Sequence, residues 1–269
     1  MLHADAPTPD WSGTLLSERP EAKAVATESW LLKASCPFLN SGFENKRGYA
    51  ILLCMEKSVL VVGKEVPEVK NFAEGLKTCG RKVVASGMEN LFWNKNSPVS
   101  ARNLVMHTAN GCDGDFDVVL YFDETLAGAK FLNMDIQTCT QVMSEYVLAF
   151  QYLTVELLNY FDSHCGKVAF IYSPYSRSVV SVNPVVKAAG NAFVSFAENA
   201  AAKFASKNAL FQVLVKAEKE NAGFEDDGAI ARWLCQYFEE LDGLKKKPDA
   251  NHVCWVKPGS KAKAGFRLF

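Results

Sequence analysis

Three features of this 269-residue sequence predict an α/β fold built on a doubly wound parallel sheet. Short β-branched runs alternate with longer helical stretches. The runs are apolar throughout, as strands buried on both faces are. The composition is that of a globular protein, 49% hydrophobic and 22% charged. Strands alternating with helices mark βαβ units, and their right-handed crossovers place helices on both faces of one sheet.

The elements follow in order. Ser58-Val-Leu-Val-Val-Gly63 is a buried strand ending in glycine. Val66 to Cys79 reads as a helix with Val69, Phe72, Ala73 and Leu76 on one face and Gly80 as its stop. Strands follow at Arg81 to Ser86 and Asp117 to Phe122, then a long helix from Gln137 to Ser163. Lys167 to Ser173 is a strand, Pro184 to Ser206 an Ala-rich helix, and Ala209 to Val215 a strand. A helix from Ala229 to Leu241 and a strand from His252 to Val256 close the pattern.

Residues 1–45 differ. Pro7, Pro9, Pro20 and Pro37 break regularity, while Trp11, Trp30, Phe38 and Phe43 stand without a period. Burying an aromatic side chain contributes about 1.5–3 kcal/mol, so this extended arm needs a surface to bury them on. A partner protein is the favoured surface, because a doubly wound sheet already covers both faces with its own helices. The domain reading is an arm at 1–45, an α/β body at 46–259 and a basic tail at 260–269.

Charge excludes some functions. Formal charge is −1, against the basic surplus of a general nucleic-acid binder. It is unevenly spread: Gly243 to Phe269 holds seven basic residues and one acidic, which marks an interaction tail. No apolar stretch reaches the roughly 18 residues of a membrane span. Met1 to Asp10 has no Lys or Arg, unlike an ordinary signal peptide or mitochondrial presequence. Eight cysteines stand singly, and the expectation is buried, reduced thiols in an intracellular reducing compartment, the cytosol or an organelle matrix such as that of mitochondria. The four histidines cluster with nothing, so no metal site is expected.

Ser58 to Gly259 resembles the short-chain dehydrogenase/reductase family. Ser58 to Ser86 is similar to its first βαβ unit, and Gly166 to Ser173 to the strand ending in its catalytic serine. Asn183-Pro-Val-Val-Lys187 with Ala188-Ala-Gly-Asn-Ala-Phe193 is similar to its Tyr-x-x-x-Lys helix, and Asp227 to Gly259 to its closing helix and strand. The resemblance implies a Rossmann-like domain. It places Gly63, Ser86 and Lys187 at cofactor positions and Ser173, Asn183 and Lys187 at catalytic ones, with Ser181 as a substitute for Ser173 and Tyr146 where the family carries Asn.

The chain departs from the family's pattern where chemistry is done. Of Gly-x-x-x-Gly-x-Gly only Gly63 survives, with Pro67 and Val69 at the other two positions. Phe122-Asp-Glu-Thr125 stands where the family has Asn-Asn-Ala-Gly. Asn183 replaces the proton-donating Tyr, and an amide cannot be that acid. Lys187 is then expected to be a surface lysine lying along its helix, and Tyr172 and Tyr175 are the nearby substitutes for the missing acid. The resulting expectation is an inactive reductase-like chain without cofactor. Analogy with the family makes it an accessory subunit of a larger assembly, of the respiratory-chain type. Contacts would run through the arm and the helices at 137–163 and 184–206. A homo-oligomer through those helices is a further reading. The alternative is a divergent NAD(P)-dependent oxidoreductase acting on a small carbonyl or acyl substrate.

Overall fold

The computed structural model describes residues 57–88, 91–176, 182–204, 210–244 and 254–262. The arm at 1–45, most of the basic tail, Ser181 and the first residues of the last expected strand lie outside them. Six strands form one sheet: β1 (Ser58–Val62), β2 (Lys82–Ala85), β3 (Phe116–Asp123), β4 (Gly166–Ser173), β5 (Leu210–Lys216) and β6 (Trp255–Val256). Their order is β2-β1-β3-β4-β5-β6, and every pairing is parallel. The helices are α1 (Val69–Lys77), α2 (Pro98–Gly111), α3 (Glu124–Lys130), α4 (Ile136–Met143), α5 (Ala149–Tyr160), α6 (Pro184–Phe204) and α7 (Asp227–Asp242). This is a Rossmann-like, doubly wound α/β fold.

The sheet separates two cores, which explains the unbroken apolar strands. In β1, Val59 and Val61 face a core shared with α1 and α7, while Leu60 and Val62 face one shared with α2, α5 and α6. Both faces are covered, so most strand side chains are apolar, and the polar exceptions Ser58, Asp117, Asp123, Lys167 and Ser173 lie at or next to strand ends. On the second face, the Phe193 ring of α6 stacks on Phe122 at 5.5 Å and meets Phe150 edge-on at 5.1 Å. That contact seats α6 over the carboxyl end of β3.

Two helices go beyond the sequence expectation. Helix α2 opens on Ser97, whose Oγ accepts from Ser100 N–H, with Pro98 in its first turn. Helix α3 opens on Asp123, whose Oδ1 accepts from the Thr125 and Leu126 amides. The Asp123-Glu124-Thr125 segment is thus a capped helix start. The long helix expected from Gln137 to Ser163 runs from Ile136 to Tyr160, and a π-helical turn at Ser144–Leu148 joins α4 to α5. Helix α1 begins at Val69, three residues later than expected. The cysteines also differ from expectation. Of the six described, Cys235 is buried, whereas Cys165 and Cys254 are exposed. Burial, with Cys79 alongside, pushes the Cys235 thiol up to about 12.

Phe193→Ala removes the ring at the centre of the α6 core. It should cost about 3–5 kcal/mol in chemical denaturation, the usual cost of an aromatic cavity.

Candidate functional site

Strand order reverses between β1 and β3, so the crevice of a doubly wound sheet opens where their carboxyl ends diverge. Gly63 and Lys64 leave β1 there, and Asp123 and Glu124 leave β3. Gly63 has φ +101°, and a Cβ there would overlap the Tyr121 carbonyl oxygen and press on the Phe150 ring. Packing alone therefore requires glycine at 63.

Lys64 is 2% exposed. Its ammonium pairs with Asp123 at 3.2 Å and with Asp227 in the first turn of α7, and it stands 4.3 Å over the Tyr121 ring. The Tyr121 hydroxyl donates to Asp227 Oδ1 at 3.0 Å. Burial, then the charges of Asp227 and Asp123, push the Tyr121 pKa well above that of an ordinary tyrosine. Lys219 adds a second cation 3.4 Å from Asp123. This cluster ties β1, β3 and α7 together at the crevice.

At the opening of α1, the Val69 amide donates to Glu65 O at 2.8 Å and the Lys70 amide to Pro67 O at 3.1 Å. Pro67 has no amide to offer. Glu65 and Glu68 bring two carboxylates to the same turn, and Lys95 pairs with Glu65 at 2.5 Å. Burial pulls Glu65 up, but the hydrogen bond and charge of Lys95 outweigh it and hold its pKa below the usual carboxylate value.

The second cluster lies where β3, β4 and α6 meet. Glu124 is fully buried. Its carboxylate accepts from the Tyr172 hydroxyl at 2.5 Å, from Tyr175 N–H at 2.9 Å and from Lys187 Nζ at 2.9 and 3.1 Å. Lys187 Nζ also donates to the Tyr172 hydroxyl at 3.0 Å. Gly190, one turn beyond Lys187, leaves the space that the carboxylate fills. Burial and the bond to Glu124 raise the Tyr172 pKa above the ordinary tyrosine value; burial and the Glu124 charge do the same to Tyr175. Both effects oppose ionisation of these phenols.

The residues singled out in the sequence separate accordingly. Lys187 keeps an exposed side chain, as expected of a surface helix lysine, and its ammonium reaches the buried Glu124 carboxylate. Asn183 caps α6: its Oδ1 accepts from the Val185 and Val186 amides, and its Nδ2 donates to Phe131 O at 2.7 Å. The cap explains an amide at this position, since Asn is among the best N-caps and Tyr is not. Ser173 is fully buried at the end of β4, so its hydroxyl faces core and not solvent. Ser86 lies beyond β2 at the edge of the sheet, across β1 and β3 from the Lys187 cluster. Tyr172, named as a substitute acid, is the residue brought to Lys187. Glu124 and Lys64 were not singled out as site residues; the one available signal was an ionisable side chain immediately following a strand. Among the described residues no group of three or more His, Cys, Asp or Glu could hold a metal ion, and no helix is long and apolar enough to cross a membrane.

No protein-family model matches the chain, and none of the curated proteins matches it. Solved structures share its fold at low identity. A short chain dehydrogenase from Mycobacterium smegmatis is 13% identical with a TM-score of 0.52, over 77% of this chain and 93% of that one. FabI from Candidatus Liberibacter asiaticus is 14% identical with a TM-score of 0.51, over 76% and 94%. A short-chain dehydrogenase from Streptomyces avermitilis is 13% identical with a TM-score of 0.50, over 75% and 87%. The fold is thus the Rossmann-like fold of short-chain dehydrogenases and reductases. This sheet differs from the classic dinucleotide-binding order in two respects: among the described residues no strand lies outside β2, and four strands rather than three lie on the other side of β1.

Gly63→Ala should destabilise the chain by at least ~2 kcal/mol, from the positive φ and the clash with Tyr121, with no nucleotide present. Thermal or urea unfolding checks this. A variant as stable as the parent would return Gly63 to a phosphate-binding role.

Proposed function

We propose that the protein is a reductase-like chain without reductase chemistry, acting through protein contacts as an accessory or structural subunit of a larger assembly. The observation that carries this reading is Glu124. In a carbonyl reductase the helix lysine lowers the pKa of a tyrosine acid and holds the ribose. Here the corresponding lysine spends its charge on a buried carboxylate of the same chain. The nearest phenol, Tyr172, donates its hydrogen bond to that carboxylate and is made a weaker acid.

The residues do not fit an NAD(P) cofactor either. A diphosphate needs close backbone, available amides and an absence of negative charge. The α1 turn supplies Pro67, Val69, two amides already committed and two glutamates. No cofactor is assigned. A Ser-bound carbonyl step is likewise left without its hydroxyl, since Ser173 is closed off from solvent.

The exposed side of α5 and α6 supports a contact role. A groove of about 310 Å³ runs between them, lined by Val155, Leu158, Phe196 and Ala200 among others, and Val155 is 52% exposed. A partner there, together with the arm at 1–45, is part of the proposal, as is an organellar or cytosolic reducing compartment. A homo-oligomer through the same helices would use the same groove.

One observation favours the second reading, a divergent oxidoreductase acting on a small carbonyl or acyl substrate: Tyr172 and Lys187 do form a hydroxyl–ammonium pair. Titration with NADH and NADPH, followed by calorimetry, separates the two. The accessory reading expects no saturable binding in the micromolar range. Micromolar binding of either nucleotide would favour the oxidoreductase.

A further inference from the structure

Helices α1 and α7 lie side by side on one face of the sheet and run in step. Asn71 Nδ2 donates to Asp226 Oδ1 at 3.4 Å. One turn further on, a Cβ added at Gly75 would come within 2.8 Å of the Ala231 Cβ and 2.5 Å of the Gly228 carbonyl oxygen, so the two backbones touch. A turn is about four residues, and four residues beyond Gly75 and Ala231 stand Cys79 and Cys235. The Cys79 amide donates to Leu76 O at 3.0 Å, which carries the helical course of α1 on to it. Cys235 is 2% exposed, and Cys79 packs half-buried against the same core. The two thiols share a hydrogen bond.

A disulfide needs Cβ atoms about 3.5–4.5 Å apart, and helices that touch one turn earlier bring facing cysteines within reach of each other. The two thiols are not equivalent. Burial foremost, with Cys79 beside it, pushes the Cys235 thiol up to about 12, against the pull of the Arg81 guanidinium. Arg81 is itself buried, pairs with Glu239 at 3.5 Å, one turn along α7 from Cys235, and stands 3.9 Å from Asp117. Cys79, nearer to solvent, is the thiol that an oxidant in solution meets first.

We propose that Cys79 and Cys235 are a two-electron redox site, at which a hydroperoxide joins them in a disulfide that staples α1 to α7. The Cys79 sulfur, as thiolate, attacks the peroxide; an S–O bond forms, the O–O bond breaks, and water or an alcohol leaves. The Cys235 sulfur then attacks the Cys79 sulfur. The S–S bond forms, the S–O bond breaks, and the Cys235 proton leaves with the hydroxyl as water. The proposal is independent of the accessory role and fits a reducing compartment, where protein disulfides are transient and redox-sensing. Stoichiometric hydrogen peroxide on the reduced full chain, then alkylation and peptide mapping without reductant, tests it. A Cys79–Cys235 linked peptide, reversed by dithiothreitol, is expected, with the thermal unfolding midpoint raised by about 5 °C or more. Cys79→Ser should give neither the link nor the rise. In Cys235→Ala, Cys79 should be left as sulfenic acid and take up dimedone at least about tenfold more than in the parent. Recovery of the two cysteines unlinked in the parent, linkage of either mainly to another cysteine, or a midpoint unchanged or lowered by the link would overturn the proposal.

Discussion

A carboxylate with no exposure to water must be answered within the protein or give up its charge. Glu124 is answered three times, by the Lys187 ammonium, the Tyr172 hydroxyl and the Tyr175 amide. Those partners come from α6, from β4 and from the segment after β4. One side chain at the start of α3 therefore sets how three elements meet. The surroundings accommodate it: Gly190 withholds a side chain where the carboxylate lies, and Asn183 caps α6 so that Lys187 points back at it. Removing one partner of such a pair is costly because the other is left buried, even where the intact pair adds little net stability.

Lys64 is the inverse case on the neighbouring strand. It is a buried cation answered by Asp123 and Asp227, with the Tyr121 ring beneath it. The two clusters sit side by side, because Asp123 and Glu124 are adjacent and face different elements. Together they balance the charges of Lys64 and Lys187 from within the chain. Both clusters border the crevice at the carboxyl ends of β1 and β3. In the turn that opens α1, Glu65 pairs with Lys95 and Glu68 is exposed.

The sheet was legible because strands buried on both faces are largely apolar, and runs such as Val59 to Val62 or Val168 to Tyr172 are short, β-branched or aromatic and separated by helical stretches. Helix α2 was legible in principle, since Ser97 followed by Pro98 is a cap and a first-turn proline, but its apolar face is broad and weakly periodic. Helix α3 was missed for a physical reason. Asp123-Glu124-Thr125 carries two adjacent carboxylates, which read as a solvated turn unless it is known that one caps a helix and the other meets a lysine. The pairings of Glu124 with Lys187 and of Lys64 with Asp227 join residues far apart in sequence, and local pattern carries no signal for them. Asn183 was noticed as the wrong residue for an acid; only the structure explains what it does instead.

The central claim is that Glu124 and Lys187 are coupled, so that the lysine serves the fold and not a substrate. A double-mutant cycle measures this directly. Glu124→Gln, Lys187→Met and the double variant are compared with the parent by urea denaturation. Lys187 is partly exposed, so solvent screens the pair, yet a coupling of at least about 1 kcal/mol is expected, with the double variant more stable than the sum of the singles allows. Single effects that add to within about 0.3–0.5 kcal/mol would contradict the account and leave Lys187 available for other work.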